Sequence, residues 1–166
     1  MQPGVAEPRA ASGFGDVQLV EHRQERHAGD DTSPLGDTRL HVSTRATLQE
    51  CVLSCGIPFH GKPDHDIFVR EMARLSARTM GLRRTGACSV DFAFVAAGRW
   101  DAYWERTLNA WDMAPGVILV QEAGGVATGV DGASLELDGG HVLVTNGAIH
   151  GALAARLERA RRGEDG

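Results

Sequence analysis

The order of apolar and polar positions divides the chain near residue 46. Residues 1–46 are rich in Gly, Asp, Arg and His, and their longest apolar stretches are fragments such as residues 17–20. Such a segment buries too little surface to offset the entropy lost on ordering, so we predict a poorly ordered segment with one short edge strand over residues 39–43. An α/β portion is predicted over 47–162, followed by a tail at 163–166.

Strands and helices alternate from residue 48 onward. Residues 51–57 are apolar and stop at Pro58, which predicts a buried strand. Asp64 is the predicted N-cap of an amphipathic helix that ends at Gly81. The other predicted elements are a strand at 82–85, a buried helix at 88–97, a strand at 100–108, a helix at 113–123, strands at 126–128 and 141–145, and a helix at 149–161. This alternation predicts a layered α/β architecture.

Composition and charge narrow the range of functions. The 166 residues carry a net charge of −5, and no Lys/Arg block has aromatic residues threaded through it. A nucleic-acid partner is therefore not expected. No stretch approaches the roughly 18 consecutive apolar residues of a membrane span, so no membrane partner is expected either. The three cysteines form an odd, sparse set, which favours a reducing compartment and predicts the cytoplasm.

One proline helps to locate a carboxylate. Pro115 has no N–H to donate and is tolerated in the first turn of a helix, so we expect that helix to begin close to Asp112. The Asp112 carboxylate then lies at the positive end of the helix dipole. Two interpretations follow: Asp112 is the N-cap of the helix, or it is a ligand in a binding site.

Two neighbouring features favour a binding site. Glu105 stands seven residues before Asp112, at the end of a predicted strand. Gly86, Ala87 and Cys88 form a small-residue turn that opens the buried helix, whose first backbone N–H groups lack partners within the helix. Strand carboxyl ends and helix amino ends meet at one rim of an α/β sheet. Such a rim suits a hard cation together with a hydroxylated, phosphorylated ligand.

Residues 86–105 and 111–125 resemble the inositol monophosphatase family, in particular its bacterial inositol-1-monophosphatases. The likeness includes a Trp-Asp pair, small residues, an apolar helix and a final Glu-Ala-Gly-Gly, and it extends more loosely over residues 38–157. It implies the layered αβαβα fold of the sugar phosphatases, of which this chain would hold mainly the C-terminal mixed sheet and its flanking helices.

The resemblance also implies roles for individual residues. Asp112 matches a metal-ligating aspartate, Glu105 matches a glutamate that binds a substrate hydroxyl, and Gly86, Ala87 and Cys88 match a segment that contacts the hydroxyls of the substrate ring. The implied reaction is Mg²⁺-dependent hydrolysis of a phosphomonoester by metal-activated water. Inositol, histidinol, sugar and nucleotide phosphates all remain open as substrates, and a homodimer is an implied assembly.

One family motif is missing, so no catalytic residue is identified in this chain. The Asp-Pro-(Ile/Leu)-Asp-Gly-Thr motif, which supplies the first metal site, is absent, and residues 29–38 have its composition without its order. We interpret residues 29–38 as a polar loop. The chain is expected to be a truncated or frame-shifted member with little activity alone. The alternative is a catalytically inactive fragment that acts as an interaction or oligomerising protein.

A zinc module is a further alternative. Cys51, Cys55, His60 and His65 have spacings that fall within loose zinc-finger ranges. However, only four residues separate Cys55 from His60, and both cysteines lie in the apolar strand. Cysteines in such a strand are commonly small buried hydrophobic residues, so the zinc interpretation is disfavoured.

Overall fold

The computed structural model describes residues 33–35 and 38–164. The described chain begins with an antiparallel hairpin of β1 (Ser33–Leu35) and β2 (Thr38–Leu40). The edge strand predicted over 39–43 is therefore only partly correct, because residues 41–46 have no regular structure. Most of the segment predicted to be poorly ordered, and most of the polar loop at 29–38, lie outside the described residues.

A five-stranded mixed sheet forms the centre of the fold. Its strands are β3 (Val52–Cys55), β4 (Gly81–Arg83), β5 (Ala102–Glu105), β6 (Val126–Thr128) and β7 (Val142–Thr145). The spatial order is β4-β3-β5-β7-β6, with β3 parallel to both β4 and β5, and β7 antiparallel to both β5 and β6. The predicted mixed sheet is therefore confirmed.

Two helix layers cover the sheet, which confirms the predicted layered architecture. The helices are α1 (His65–Ser76), α2 (Cys88–Ala96), α3 (Ala110–Glu122) and α4 (His150–Arg162). Side chains of α1 and α4 share one core cluster with Trp104, and side chains of α2 and α3 share another with Tyr103. Successive residues of a strand face opposite sides of a sheet, so β5 contributes one aromatic ring to each layer.

A buried carboxylate joins the starts of the central strands. Asp101 is fully buried, and its Oδ1 accepts hydrogen bonds from Ser43 Oγ and, over 2.8 Å, from Arg45 Nε. Its Oδ2 accepts from the Val52 backbone N–H over 2.7 Å. Asn146 Nδ2 then donates to Ser43 Oγ over 2.9 Å and to the Arg45 carbonyl over 2.8 Å. One network thus fixes the segment before β3 and the ends of β3, β5 and β7.

The structure corrects two details predicted for the ends of α1. Gly81 does not end this helix: α1 stops at Ser76, and Gly81 is the first residue of β4. Asp64 does precede the helix as predicted, but its backbone is left-handed and its side chain makes no capping hydrogen bond. Position alone thus identified the N-cap, while the backbone φ of +70° turns the carboxylate away from the usual capping geometry.

The structure also moves the start of α3. The helix begins at Ala110 with Asn109 as its N-cap, so Pro115 lies in the second turn and Asp112 is not the N-cap. The first-turn prediction for Pro115 is wrong. Pro115 has no N–H to donate to the carbonyl of Trp111, the residue four positions earlier, and Trp111 lies in the exposed first turn of the helix.

Close packing between α2 and α3 depends on a missing side chain. A Cβ at Gly116 of α3 would lie 2.3 Å from Cγ of Phe92 in α2. Phe92 is fully buried and packs edge-on against Tyr103, with ring centroids 5.1 Å apart. The ring cannot move aside without disturbing the core, so Gly116 sets how closely the two helices approach.

Gly116→Ala is expected to destabilise the chain by about 2 kcal/mol, because overpacking displaces the Phe92 ring. Gly151→Ala is the matched control, because Gly151 also lies in a helix and a Cβ added there would meet no heavy atom within 4 Å. That control is expected to be neutral or stabilising by about 0.5 kcal/mol, since Ala favours the helix over Gly. Urea unfolding of both variants measures the difference; equal stabilities would contradict the packing argument.

Candidate substrate and metal site

The packing of α2 on α3 brings two of the predicted residues together. Cys88 is the first residue of α2 and Asp112 the third residue of α3. The Cys88 Sγ lies 3.6 Å from the Asp112 carbonyl oxygen, although the two residues are 24 positions apart in sequence. The start of α2 and the start of α3 therefore lie side by side.

Glu105 ends β5 on the sheet face that α2 and α3 cover. The Tyr103 hydroxyl, two residues earlier on the same face, donates a hydrogen bond to Glu105 Oε2. The Glu105 side chain lies over Gly56, where an added Cβ would stand 1.9 Å from Glu105 Cδ. The Lys62 ammonium is 3.9 Å from Glu105 Oε1. The Tyr103 hydroxyl, the Gly56 backbone and the Lys62 ammonium thus surround this carboxylate and hold it in place.

Burial and two negative charges converge on the Cys88 thiol. Burial is the largest cause that raises the pKa of Cys88, and the carboxylates of Asp112 and Glu105 follow. Both carboxylates therefore lie close enough to Cys88 to act on it electrostatically. The raised pKa favours the neutral thiol.

The Gly86–Cys88 turn presents backbone rather than side chains. Gly86 has a φ of +88°, a conformation that glycine adopts without strain. Ala87 is the N-cap of α2 in extended conformation and makes no side-chain capping bond. Gly86 and Ala87 are exposed, while Cys88 is half-buried. The N–H groups at the start of α2 lie beside this turn, and the Ala87 N–H already donates to the Thr85 hydroxyl over 3.2 Å.

Comparison with known proteins identifies the family. The model of the inositol monophosphatase family matches residues 22–162. The chain belongs to the inositol monophosphatase family. It is 44% identical over 125 residues to the inositol-1-monophosphatase of Caulobacter vibrioides, covering 75% of this chain and 49% of that protein.

Two further relatives match the same share of this chain. The Nus factor SuhB of Pseudomonas aeruginosa is 40% identical over 126 residues, which cover 75% of this chain and 46% of that protein. The structure of the inositol monophosphatase from Anabaena (Nostoc) sp. superposes with a TM-score of 0.69 at 39% identity, covering 75% of this chain and 51% of that one. The chain thus spans about half the length of the inositol monophosphatase relatives it matches.

Asp112 offers one carboxylate to a metal. Its Oδ2 accepts a hydrogen bond from Asn109 Nδ2 over 3.0 Å, which holds the side chain against the N-cap of α3. Within residues 33–35 and 38–164, no group of three or more His, Cys, Asp or Glu side chains is placed to hold a metal ion. Magnesium takes near-octahedral oxygen ligands. The described residues therefore fall short of a complete magnesium site.

The alternative zinc ligands Cys51 and Cys55 lie in the core. Both are buried among the side chains of α1 and α4, and the Cys51 Sγ donates to the Thr47 carbonyl over 3.1 Å. Burial, as the largest cause, raises the pKa of each of the two thiols to about 12. Zinc binds the thiolate, so these surroundings oppose metal binding and favour the interpretation as buried hydrophobic residues.

Sequence reasoning missed Asp91, which is the fourth residue of α2 and is 2% exposed. The segment was interpreted as apolar nearly all round, and a single charged residue did not alter that pattern. Burial, as the largest cause, raises the pKa of Asp91, while the hydroxyls of Thr85 and Ser54 lower it. The available signal was the charge itself, because an acidic residue in a buried helix requires a partner.

A helix that crosses a bilayer is both long and apolar. Among the helices in the described ranges 33–35 and 38–164, none combines the length and the apolar character of a bilayer span.

Tyr103 is the only tyrosine in the sequence and therefore reports directly on the rim. Burial first, and then the Glu105 carboxylate, raises its pKa far above the ordinary value of 10.0. The unfolded chain loses this proton first, so the free energy of unfolding should fall as pH rises above about 10. We expect no phenolate absorbance while the circular dichroism stays native. Phenolate that forms near pH 10 in folded protein would contradict the burial of this hydroxyl.

Proposed function

We propose that this chain carries the substrate-binding wall of a Mg²⁺-dependent phosphomonoesterase that acts on an inositol monophosphate or a related polyol phosphate. The observation that supports the proposal is that Cys88, at the start of α2, contacts Asp112, at the start of α3. Glu105, at the end of β5, is near enough to raise the pKa of the same thiol. In this proposal Gly86, Ala87 and Cys88 bind ring hydroxyls through the backbone, and Glu105 accepts a hydrogen bond from a further hydroxyl.

Glu105 suits a hydroxyl ligand because its carboxylate is already oriented. The Tyr103 hydroxyl occupies one oxygen of this carboxylate, Oε2, and the Lys62 ammonium lies near the other. A carboxylate has about four acceptor positions, so both oxygens keep capacity for hydroxyl donors. Pre-orientation lowers the entropy lost when a polyol binds.

Asp112 is proposed as one ligand of Mg²⁺. When bound, such an ion supplies charge neutralisation at the phosphate and lowers the pKa of a coordinated water. One carboxylate is too few for that role, so the remaining ligands are not assigned to the described residues.

The three cysteines are free thiols, which supports a reducing compartment such as the cytoplasm.

The purified chain with millimolar magnesium is expected to release little or no phosphate from inositol 1-phosphate, because its described residues supply a single metal carboxylate. A chimera tests the proposed substrate-binding residues. In it, this chain's matched 125 residues replace the corresponding part of the Caulobacter vibrioides inositol-1-monophosphatase. Magnesium-dependent phosphate release is expected from the chimera.

Two substitutions in the chimera separate the roles. Asp112→Asn should reduce kcat by about 100-fold or more, because a metal ligand is lost. Glu105→Gln should mainly raise KM, because it weakens a contact to a hydroxyl remote from the phosphate. Clear turnover by the chain alone that Asp112→Asn abolishes would contradict the expectation of inactivity. A folded chimera without turnover would contradict the proposed function.

A second candidate function is that of an oligomerising interaction protein, which one surface favours. Trp111 is 74% exposed and Ile118 is 40% exposed. They lie seven residues apart on α3 and hence on the same side of the helix, with exposed Pro115 between them. Contiguous exposed apolar side chains mark interaction surfaces, and a second copy of the chain is the proposed occupant.

Sedimentation of the purified chain tests this surface. If α3 mediates self-association, the chain should sediment as a dimer or larger species. Trp111→Ser with Ile118→Ser should shift it to a monomer, because the apolar area that drives association is removed. Val69→Ser is the control, because Val69 is 63% exposed on a different helix, α1. A wild-type chain that remains a folded monomer at high concentration would contradict the second candidate function.

A further inference from the structure

Asp91 is a buried carboxylate with few hydrogen-bond partners. Its Oδ2 accepts a hydrogen bond from Thr85 Oγ1 over 2.7 Å. Its Oδ1 is buried without a well-aligned hydrogen bond in the described part of the chain, although the Ser54 hydroxyl lies close enough to lower the pKa of this carboxyl. Burying a charged group with so few partners is costly, whereas an apolar side chain in α2 would pack without that cost. The carboxylate is therefore best explained by what it does to Thr85.

The Thr85 hydroxyl also contacts the candidate substrate-binding turn. Its oxygen also accepts a hydrogen bond from the Ala87 backbone N–H over 3.2 Å. The hydroxyl carries one proton, and the Asp91 carboxylate can only accept, so the proton points to Asp91. The Ala87 carbonyl lies 3.1 Å from the same hydroxyl, but a charged acceptor at 2.7 Å is the stronger partner. The lone pairs of Thr85 then face the Ala87 N–H.

Ala87 is held through both of its backbone polar groups. Its carbonyl accepts the backbone N–H groups of Val90 over 3.0 Å and of Asp91 over 3.2 Å, and its N–H donates to Thr85. Thr85, Gly86 and Ala87 are exposed, and Gly86 has the free backbone of a glycine, so the turn has little packing of its own. Asp91 is therefore the buried residue that holds this turn, through its hydrogen bond with Thr85.

We propose that Asp91 is a positioning residue: acting through Thr85, it fixes the backbone of Gly86, Ala87 and Cys88 in the geometry that binds substrate hydroxyls. The inference rests on the proposed function for the role of that turn. The positioning itself concerns only contacts within the chain, so it can be tested without a ligand.

Amide hydrogen exchange of Ala87, measured by NMR on the full chain, tests the positioning. Asp91→Ala and Thr85→Val each remove one link, and each should accelerate Ala87 exchange about three- to tenfold, as the loss of one hydrogen bond predicts. Thr85→Ser keeps the hydroxyl, and Asp91→Asn keeps an acceptor oxygen, so both should exchange like wild type. Thr79→Val is the matched control, because the Thr79 hydroxyl bonds the Leu75 carbonyl at the end of α1.

Unchanged Ala87 exchange in Thr85→Val would overturn the proposal, whatever happens to the melting temperature. Thr85 is exposed, so this variant is expected to fold even if Asp91→Ala does not. A purely structural role for Asp91 would lower the melting temperature of Asp91→Ala and leave Ala87 exchange unaltered in every folded variant.

A titration with myo-inositol 1-phosphate in millimolar magnesium adds the functional readout. Wild type should show shifts of the Ala87 and Cys88 amide signals, and the Kd should rise about three- to tenfold in Thr85→Val but not in Thr85→Ser. If wild type shows no shifts, the proposed function is overturned while the exchange data still decide the positioning. If wild type binds and Thr85→Val binds equally well, the positioning inference is overturned.

Discussion

The buried Asp101 carboxylate is the constraint on which the rest of this structure depends. It is fully buried, yet it receives donors from Ser43, Arg45 and the Val52 backbone. Removing one partner of such a network leaves an uncompensated buried charge, which typically costs about 3–5 kcal/mol. The network fixes where the central strands begin. Glu105 is the last residue of β5, so fixing the start of this strand also fixes the position of Glu105 at the rim.

The short strand β5 links both helix layers to that rim. On one face, Trp104 Nε1 donates to the buried Glu71 of α1 over 2.9 Å, and Arg106 Nη2 donates to the same carboxylate over 2.6 Å. On the other face, Tyr103 donates to Glu105. A buried ion pair on one side and a buried hydroxyl on the other thus fix the same four-residue strand. The candidate site therefore stands on rigid elements, as a precise binding site requires.

The family relationship and the described donors together define what this chain contributes. It spans about half the length of its inositol monophosphatase relatives, and its described residues include the proposed hydroxyl-binding turn, the glutamate and one carboxylate proposed for a metal. Asp112 alone offers fewer oxygen ligands than a magnesium ion takes.

Much of the fold was predictable from the sequence, because it is encoded in short-range patterns. The apolar run before Pro58 predicted β3, the alternation of strands and helices predicted the layers, and the Trp-Asp to Gly-Gly signature predicted the family. Such patterns can be recognised in the sequence because a helix or a strand places side chains on one face at regular intervals. This spacing does not depend on which distant residues pack against that face.

Tertiary structure alone decided the rest. Pro115 was expected in the first turn, but α3 begins at Ala110 with Asn109 as its N-cap, which puts the proline in the second turn. Asp91 was treated as an ordinary member of an apolar helix, and only its burial against the sheet shows how it holds Thr85. The sequence by itself determined the element types and the family. Strand order, burial and the partners of buried charges arise from contacts between residues far apart in the chain, and local periodicity carries no record of them.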